Sequence, residues 1–187
     1  GVQVLFESSV CAGTPIIKML TEELSANKVT KISGMLNGTS NFILSNMEEG
    51  SDFRSTLELA QKEGYAEPDP TFDIEGMDAA HKIGILSSLA FGTCLPPKDF
   101  YIEGISNIEK IDFKYAKDMG FTIKHLAVSK LNKDKVELRA HPVFIKEDSY
   151  LANLKSVRNG IEIETDLLGT LHIAGSGAGQ ESTASGV

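Results

Sequence analysis

The sequence is poor in positive charge and in long apolar runs. Of its 187 residues, 18 are lysine or arginine and 26 are aspartate or glutamate, which gives a net charge of -8 and a pI of about 5.0. Nucleic acids and anionic membrane surfaces are bound by basic patches that release counterions, so this balance argues against both partners. No apolar run approaches the roughly 20 residues that span a bilayer. We therefore expect neither a nucleic-acid nor a membrane partner.

Cysteine is also scarce. Cys11 and Cys94 lie far apart in the sequence, and neither has a neighbour at the spacing of a metal site. We expect two reduced, buried thiols and a cytoplasmic location. No secretory signal is visible at the N-terminus. The four histidines also lack metal spacing, so structural or surface roles are predicted for them.

The hydrophobic pattern changes between the two halves of the chain. We predict strands at residues 2–6 and 29–36. Helices are predicted at 15–27, with Thr14 as the cap and Pro15 in the first turn, and at 38–50, 54–62 and 110–118. A further long apolar helix is predicted to end near residue 92. The second half holds four β-rich runs separated by polar turns, at residues 121–131, 135–145, 160–167 and 170–177. The pattern predicts one α+β domain, with a mixed, mostly antiparallel sheet and helices packed on one face.

The most informative stretch is EPDPTFDIEGMDAAHK, which runs from Glu67 to Lys82. Each of its prolines pushes the residue before it, Glu67 or Asp69, toward extended backbone. The segment is therefore predicted to be a stiff connection that holds Glu67 in a defined place. Asp73 follows at a position suited to cap the next helix.

Asp78 and Lys82 are four residues apart, which places them on one face of that helix, in line with an apolar row. Charges at the edge of a core are costly to desolvate unless they pair or take part in chemistry. Together with Glu67, Asp69 and Asp73, the stretch supplies up to four carboxylates around one ammonium group. Such a site suits a cationic ligand such as the ammonium group of an amino acid. A divalent metal is the alternative, although the lysine argues against it.

Residues 60–82, AQKEGYAEPDPTFDIEGMDAAHK, resemble the signature of the homoserine dehydrogenase family. That pattern consists of alanine, glycine, an acidic-proline segment, then aspartate, glycine and aspartate, with a lysine four residues later. It is filled here by Ala60, Gly64, Pro70, Asp73, Gly76, Asp78 and Lys82. The segments FESSVCAGTPII, MLNGTSNFIL and HIAGSGAGQESTAS resemble further family segments in the same order, so the resemblance covers essentially the whole chain.

The resemblance implies the reduction of L-aspartate 4-semialdehyde to L-homoserine with NADH or NADPH, on the route to threonine and methionine. It also implies a homodimer. Family members carry a nucleotide-binding Rossmann domain ahead of this segment, and many carry an ACT domain behind it. We expect residues 1–187 to be the catalytic, substrate-binding and dimerisation domain alone, inactive in isolation. The glycine run at 175–179 does not replace the Rossmann fingerprint, because the third glycine position is Gln180.

Two alternatives to the enzyme remain open at this stage. One is a non-catalytic oligomerisation module, in which the β-rich second half pairs subunits. The other is a carboxylate metal-binding domain built from the acidic stretch.

The resemblance also assigns roles to single residues. Lys82 matches the family's proton donor to the substrate carbonyl oxygen, and Asp78 would orient Lys82 and help to bind substrate. A positioned ammonium group can stabilise and protonate the negative charge that grows on that oxygen during hydride transfer. Glu67 matches a substrate-binding carboxylate, and Asp73 would either assist it or only cap the helix.

Glycine-rich positions complete the implied site. Gly38 and Thr39 match the substrate-side loop at a helix entrance, where backbone N–H groups would meet a carboxylate. Thr39 is equally suited to be the helix N-cap. Gly64 and Gly179 match positions where the backbone approaches the cofactor, although a helix stop and a tight turn also explain them.

A monovalent cation site, usually for sodium, is implied near the N-terminus. Glu7, Val10, Ala12 and Thr14 match its ligands, with only Glu7 acting through its side chain and the others through carbonyl oxygens. Family members often have glycine at the position of Cys11 and a bulkier apolar residue at that of Thr14. Carbonyl ligands remain available despite these departures.

Overall fold

The structure is a computed structural model that describes residues 2, 4–94 and 96–187. It is built on one six-stranded sheet in the order β2-β4-β3-β1-β5-β6. The strands are β1 (Val29–Met35), β2 (Tyr101–Ile102), β3 (Phe121–Asn132), β4 (Lys135–Lys146), β5 (Arg158–Thr165) and β6 (Thr170–Ser176). All neighbouring strands are antiparallel except β2, which runs parallel to β4. The predicted mixed, mostly antiparallel sheet is confirmed.

The helices lie ahead of β1, between β1 and β3, and at the C-terminal end. They are α1 (Ile16–Lys18, continued by a π-helical turn, Met19–Glu23), α2 (Gly38–Glu48), α3 (Phe53–Lys62), α4 (Thr71–Ile74), α5 (Met77–Phe91), α6 (Lys110–Asp118) and α7 (Gln180–Gly186). Short 3-10 turns are formed by Glu7–Ser9, Pro97–Asp99 and Leu151–Asn153. No helix of the described residues is both long and apolar enough to cross a membrane.

The core lies between the sheet and helices α2, α5 and α6. On β3, Ala127 packs in a cluster that includes residues of α5, and Ile123 packs in a second cluster with residues of α2 and α6. Residues separated by an even number in a strand share a face, so all three helices cover the same side of the sheet. The other side packs Leu126 and Val128 against Leu151 and Leu154. The predicted α+β fold with helices on one face is therefore confirmed.

Three local predictions near the chain's loops were wrong. Residues 2 and 4–6 form no strand, and Val4 is 76% exposed, because no neighbouring strand of the described residues pairs with this segment; Gln3 lies outside the described residues. Helix α1 and its π-helical turn end at Glu23 rather than near Asn27. Cys94 is exposed rather than buried, because it follows the end of α5 in a loop, whereas Cys11 is buried as predicted.

Candidate active site

The candidate site forms where β1 ends and α2 begins, and Asn37 is its central polar group. Its Oδ1 accepts a hydrogen bond from Ser40 N at 2.8 Å and thereby caps α2. Its Nδ2 donates to Asp73 Oδ1 at 2.7 Å and to Asp78 Oδ2 at 2.8 Å. One buried amide therefore fixes the start of a helix and holds two carboxylates side by side.

The Asp78–Lys82 pair on α5 has the geometry that its spacing predicts. Lys82 Nζ donates to Asp78 Oδ2 at 2.7 Å and to the Leu36 carbonyl at 2.9 Å. Both side chains of the pair are 19% exposed, so the interaction is largely shielded from water. An ammonium group carries three N–H donors. Two of these donors are engaged by described residues, so the third N–H of Lys82 remains for a ligand.

Asp73 enters the site by a different route from the one predicted. It does not cap α5, whose N-cap is Gly76 in a left-handed conformation at φ 82°. Asp73 lies inside the short helix α4, and its Oδ2 accepts from Thr39 Oγ1, in the first turn of α2, at 3.2 Å. Thr39 is likewise not the N-cap of α2, since Asn37 occupies that position. Its single O–H is shared between Asp73 Oδ2 and the nearer Tyr65 carbonyl, which lies at 2.6 Å.

These groups line an open cavity of about 210 Å³. Its walls are formed by Asn37, Gly38, Thr39, Gly64, Tyr65, Asp73, Asp78, Lys82, Val157, Gly177 and Ala178. Six of the predicted site residues, namely Gly38, Thr39, Gly64, Asp73, Asp78 and Lys82, therefore come together. Gly64 also ends α3 with φ 77°, so its conformational role and its place on the wall coexist.

Glu67 and Gly179 lie outside the cavity wall. Glu67 is exposed, and among the described residues its carboxylate accepts no hydrogen bond, while its backbone carbonyl accepts one from Gln61 Nε2 at 3.2 Å. Asp69 is exposed as well, and its carboxylate accepts from the hydroxyl and backbone N–H of Thr71, which lower its pKa. The structure thus brings two of the four carboxylates of the acidic stretch, Asp73 and Asp78, together. Gly179 directly follows Ala178, which does line the cavity.

Sequence reasoning missed several residues of the site, with Asn37 the most important. Asparagine just before a helix is a favoured N-cap, so that signal was available. Gly177 was missed for another reason, since its neighbour in space is Asn159 of β5. A Cβ atom at Gly177 would overlap Oδ1 of Asn159, a side chain that is only 1% exposed. Glycine therefore lets the end of β6 approach the cavity.

The buried thiol of Cys11 lies within electrostatic reach of this site. Burial raises its pKa to about 12, although the positive charge of Lys82 acts in the opposite direction. A thiol with so high a pKa stays protonated near neutral pH and is a poor nucleophile. Cys11 is therefore not a candidate for covalent chemistry.

The predicted cation ligands belong to one tight loop ahead of α1. Both oxygens of the Glu7 carboxylate accept backbone N–H groups at the start of α1, from Ile17 and Lys18, each at 2.8 Å. The predicted cap, Thr14, makes no such bond, so a residue ten positions away from Ile17 performs that task. Cys11 and Ala12 adopt left-handed φ values of 58° and 49°, which are uncommon for residues other than glycine. Both Glu7 oxygens are thus engaged by α1, and the Thr14 carbonyl accepts from Ile16 N at 2.7 Å, so a cation would have to share these ligands with backbone N–H groups.

A divalent metal fits the acidic cluster poorly. Across the described residues, no group of three or more His, Cys, Asp or Glu side chains is arranged to hold a metal ion. In addition, the amide donors of Asn37 lie between Asp73 and Asp78, in the place where a shared cation would bind. The geometry favours an ammonium-centred site over a metal centre.

Comparison with known proteins identifies one family. The family model described as homoserine dehydrogenase matches residues 15–187. A homoserine dehydrogenase of Neisseria gonorrhoeae is 50% identical over 185 residues, covering 98% of this chain and 42% of the relative. The crystal structure of a homoserine dehydrogenase from Thiobacillus denitrificans has a TM-score of 0.94 and 46% identity, with 97% of this chain and 42% of that chain covered. A hyperthermophilic archaeal homoserine dehydrogenase in complex with NADPH has a TM-score of 0.81 and 32% identity, with 97% and 52% covered.

The fold and the site define an α+β domain with a shielded lysine–aspartate pair, and the comparisons identify its family. This chain belongs to the homoserine dehydrogenase family. It spans less than half the length of the curated relatives that it matches.

Proposed function

We propose that this chain is the substrate-binding and catalytic half of a homoserine dehydrogenase. The whole enzyme would reduce L-aspartate 4-semialdehyde to L-homoserine with NADH or NADPH, in threonine and methionine biosynthesis. The observation that carries the proposal is the Lys82–Asp78 pair, 2.7 Å apart and largely shielded from water at the wall of a cavity.

Lys82 is the proposed proton donor. Bound NADH or NADPH would supply the hydride to the aldehyde carbon. As the carbonyl oxygen gains negative charge, the free N–H of Lys82 stabilises it and then transfers the proton. Asp78 and the Leu36 carbonyl hold the other two donors, so the ammonium group is oriented before substrate arrives. We assign Lys82 the catalytic role and Asp78 both a positioning and a binding role.

The amino-acid part of the substrate would be held by the N-terminus of α2 and by the carboxylates in the cavity. Gly38 and Thr39 begin α2, whose N-terminus favours a carboxylate. Asp73 and Asp78 supply negative charge for the substrate ammonium group. The proposed part of Glu67 in substrate binding requires its exposed side chain to turn toward the cavity when substrate binds.

The cofactor would approach the same cavity beside the backbone of two glycines, Gly64 and Gly179. Gly64 lines the wall, and Gly179 follows the wall residue Ala178. A structural neighbour that contains NADPH supports a nicotinamide cofactor. The main nucleotide-binding surface is proposed to belong to a Rossmann domain of the whole protein, since the chain matches less than half of its curated relatives.

The remaining features of the whole enzyme rest on the family. Sodium is the proposed cation for Glu7, Val10, Ala12 and Thr14, which lie together in the segment ahead of α1. We expect a cytoplasmic homodimer that assembles through the sheet, and two unpaired cysteines are compatible with a reducing compartment. Static light scattering of the purified chain tests the dimer, and a monomer mass would contradict it.

The catalytic proposal is tested by Lys82→Ala in the full-length protein. Loss of a general acid that also stabilises charge should lower kcat by about 100-fold or more. Circular dichroism and light scattering should be unchanged. Lys135→Ala serves as the control, because Lys135 is exposed in the β3–β4 hairpin and should keep normal turnover. Near-normal turnover of Lys82→Ala would refute the proposal.

The isolated chain should show no turnover with NADPH, and measurable reduction would contradict that expectation.

A further inference from the structure

A second cavity, of about 450 Å³, lies between the C-terminal end of α2 and helix α6. It shares no wall residue with the candidate active site. Four lysines line it, namely Lys110, Lys114, Lys117 and Lys155, together with the carboxylates of Glu48 and Glu147. In a chain whose net charge is -8, a cavity with an excess of ammonium groups reverses the local sign of the charge.

Three of these lysines converge because of helical geometry. Lys110, Lys114 and Lys117 follow one another at spacings of four and three residues on α6, which places them on one face. Within the part of the chain that the structure describes, none of the three makes an ion pair. The acidic residues at the start of α6, Glu109 and Asp112, instead form a capping box with each other's backbone. The lysines therefore keep their charge available to a ligand.

The opposite wall contains a carboxylate that is already neutralised. Glu48 accepts hydrogen bonds from the Lys155 ammonium and from Thr122 Oγ1, the latter at 2.6 Å. Burial opposes ionisation of Glu48, but these bonds outweigh it and lower its pKa. Once this pair is set aside, three lysines face one remaining carboxylate, Glu147. The carbonyl end of α2 also disfavours an anion, so any anion affinity must come from the lysines of α6.

We infer that this cavity binds a small soluble anion of the phosphate class, either inorganic phosphate or the phosphate group of a metabolite. Ammonium groups bind phosphate oxygens through charge-assisted hydrogen bonds that are stronger than neutral ones. The inference does not depend on the proposed dehydrogenase activity.

Isothermal titration calorimetry of the chain with inorganic phosphate tests the inference, with sodium chloride at matched ionic strength as the reference titration. The informative variant is Lys114→Gln with Lys117→Gln. The control is Lys133→Gln with Lys135→Gln, two exposed lysines of the β3–β4 hairpin at the other end of β3. Both variants lose the same charge, so a difference between them reports the cavity and not the overall field.

The control should bind phosphate like the unmodified chain, and the cavity variant should bind at least about tenfold more weakly. All four lysines are exposed, so melting curves should show that both variants are folded. Two results would overturn the inference. One is an unmodified chain that gives no heat beyond the chloride reference, and the other is an equal loss of affinity in both variants.

Discussion

Lys124 in β3 offers a sharp test of how burial controls charge in this fold. Its side chain is only 1% exposed, and its Nζ donates to the Leu154 carbonyl at 2.9 Å and to Asn41 Oδ1 at 3.2 Å. Desolvation lowers its pKa from 10.5 to about 8, with the nearby Glu48 charge partly opposing that effect. The ammonium form is therefore held in the folded chain at a cost.

That cost sets a pH dependence with a definite sign. The pKa of Lys124 is lower in the folded chain than in the unfolded chain, so between pH 8 and 10.5 the unfolded chain binds more protons. The free energy of unfolding must then rise with pH across that interval. The difference between 10.5 and about 8 corresponds to about 3 kcal/mol that the buried charge costs below pH 8.

Lys124→Met removes the titrating group while keeping a side chain of similar length. Its former partners are not stranded, because Asn41 Oδ1 also accepts from Ser45 Oγ at 3.4 Å and the Leu154 carbonyl from Asn41 Nδ2 at 3.3 Å. As the pH rises from 7.5 to 10.5, we expect the unfolding free energy of the unmodified chain to increase by about 3 kcal/mol relative to that of the variant.

The assay is urea denaturation at several pH values, followed by circular dichroism. Lys135→Met is the matched control, since Lys135 is exposed and its substitution should give a difference in unfolding free energy that does not depend on pH. A pH-independent difference for Lys124→Met would refute the reasoning, because it would mean that burial does not disfavour the charged form.

Two further predictions concern the scaffold of the candidate site. Asn37→Ala removes both the helix cap and the bridge between two carboxylates. It should lower the unfolding free energy by at least about 1 kcal/mol and impair turnover of the full-length enzyme. Asn37→Ser should recover the stability but not the turnover, and recovery of both would exclude the bridging role. Gly76→Ala should destabilise the chain more than Gly64→Ala in urea titrations. Both glycines have left-handed φ, but a Cβ at Gly76 would lie 2.9 Å from His125 Nε2, whereas one at Gly64 meets nothing within 4 Å. Equal losses of unfolding free energy would show that backbone strain alone matters.

Local patterns in the sequence were enough to predict most secondary structure. The β-rich runs at residues 121–131 and 135–145 predict β3 and β4, which pair in register from Phe121 to Lys146. The four-residue spacing of Asp78 and Lys82 predicts their pairing on one helix, and the structure has it. These features depend on neighbours a few positions apart, and the periodicity of a strand or a helix encodes such neighbours directly.

Contacts between distant segments were decided only by the tertiary structure. Glu7 caps α1 in place of Thr14, and Asn37 joins Asp73 to Asp78, because folding brings these groups within hydrogen-bonding distance across 10 to 41 positions. The same holds for Gly177, whose need for glycine comes from Asn159 on the next strand.

The acidic stretch illustrates the division most clearly. Its composition determined that carboxylates and a lysine would cluster, since proline and helix geometry act over a few residues. Which carboxylates join the lysine was decided by the packing of α2 against α4 and α5, which brings Asp73 and Asp78 to Asn37 and leaves Glu67 exposed. A sequence specifies the charges, but their distances in space depend on how separate elements pack.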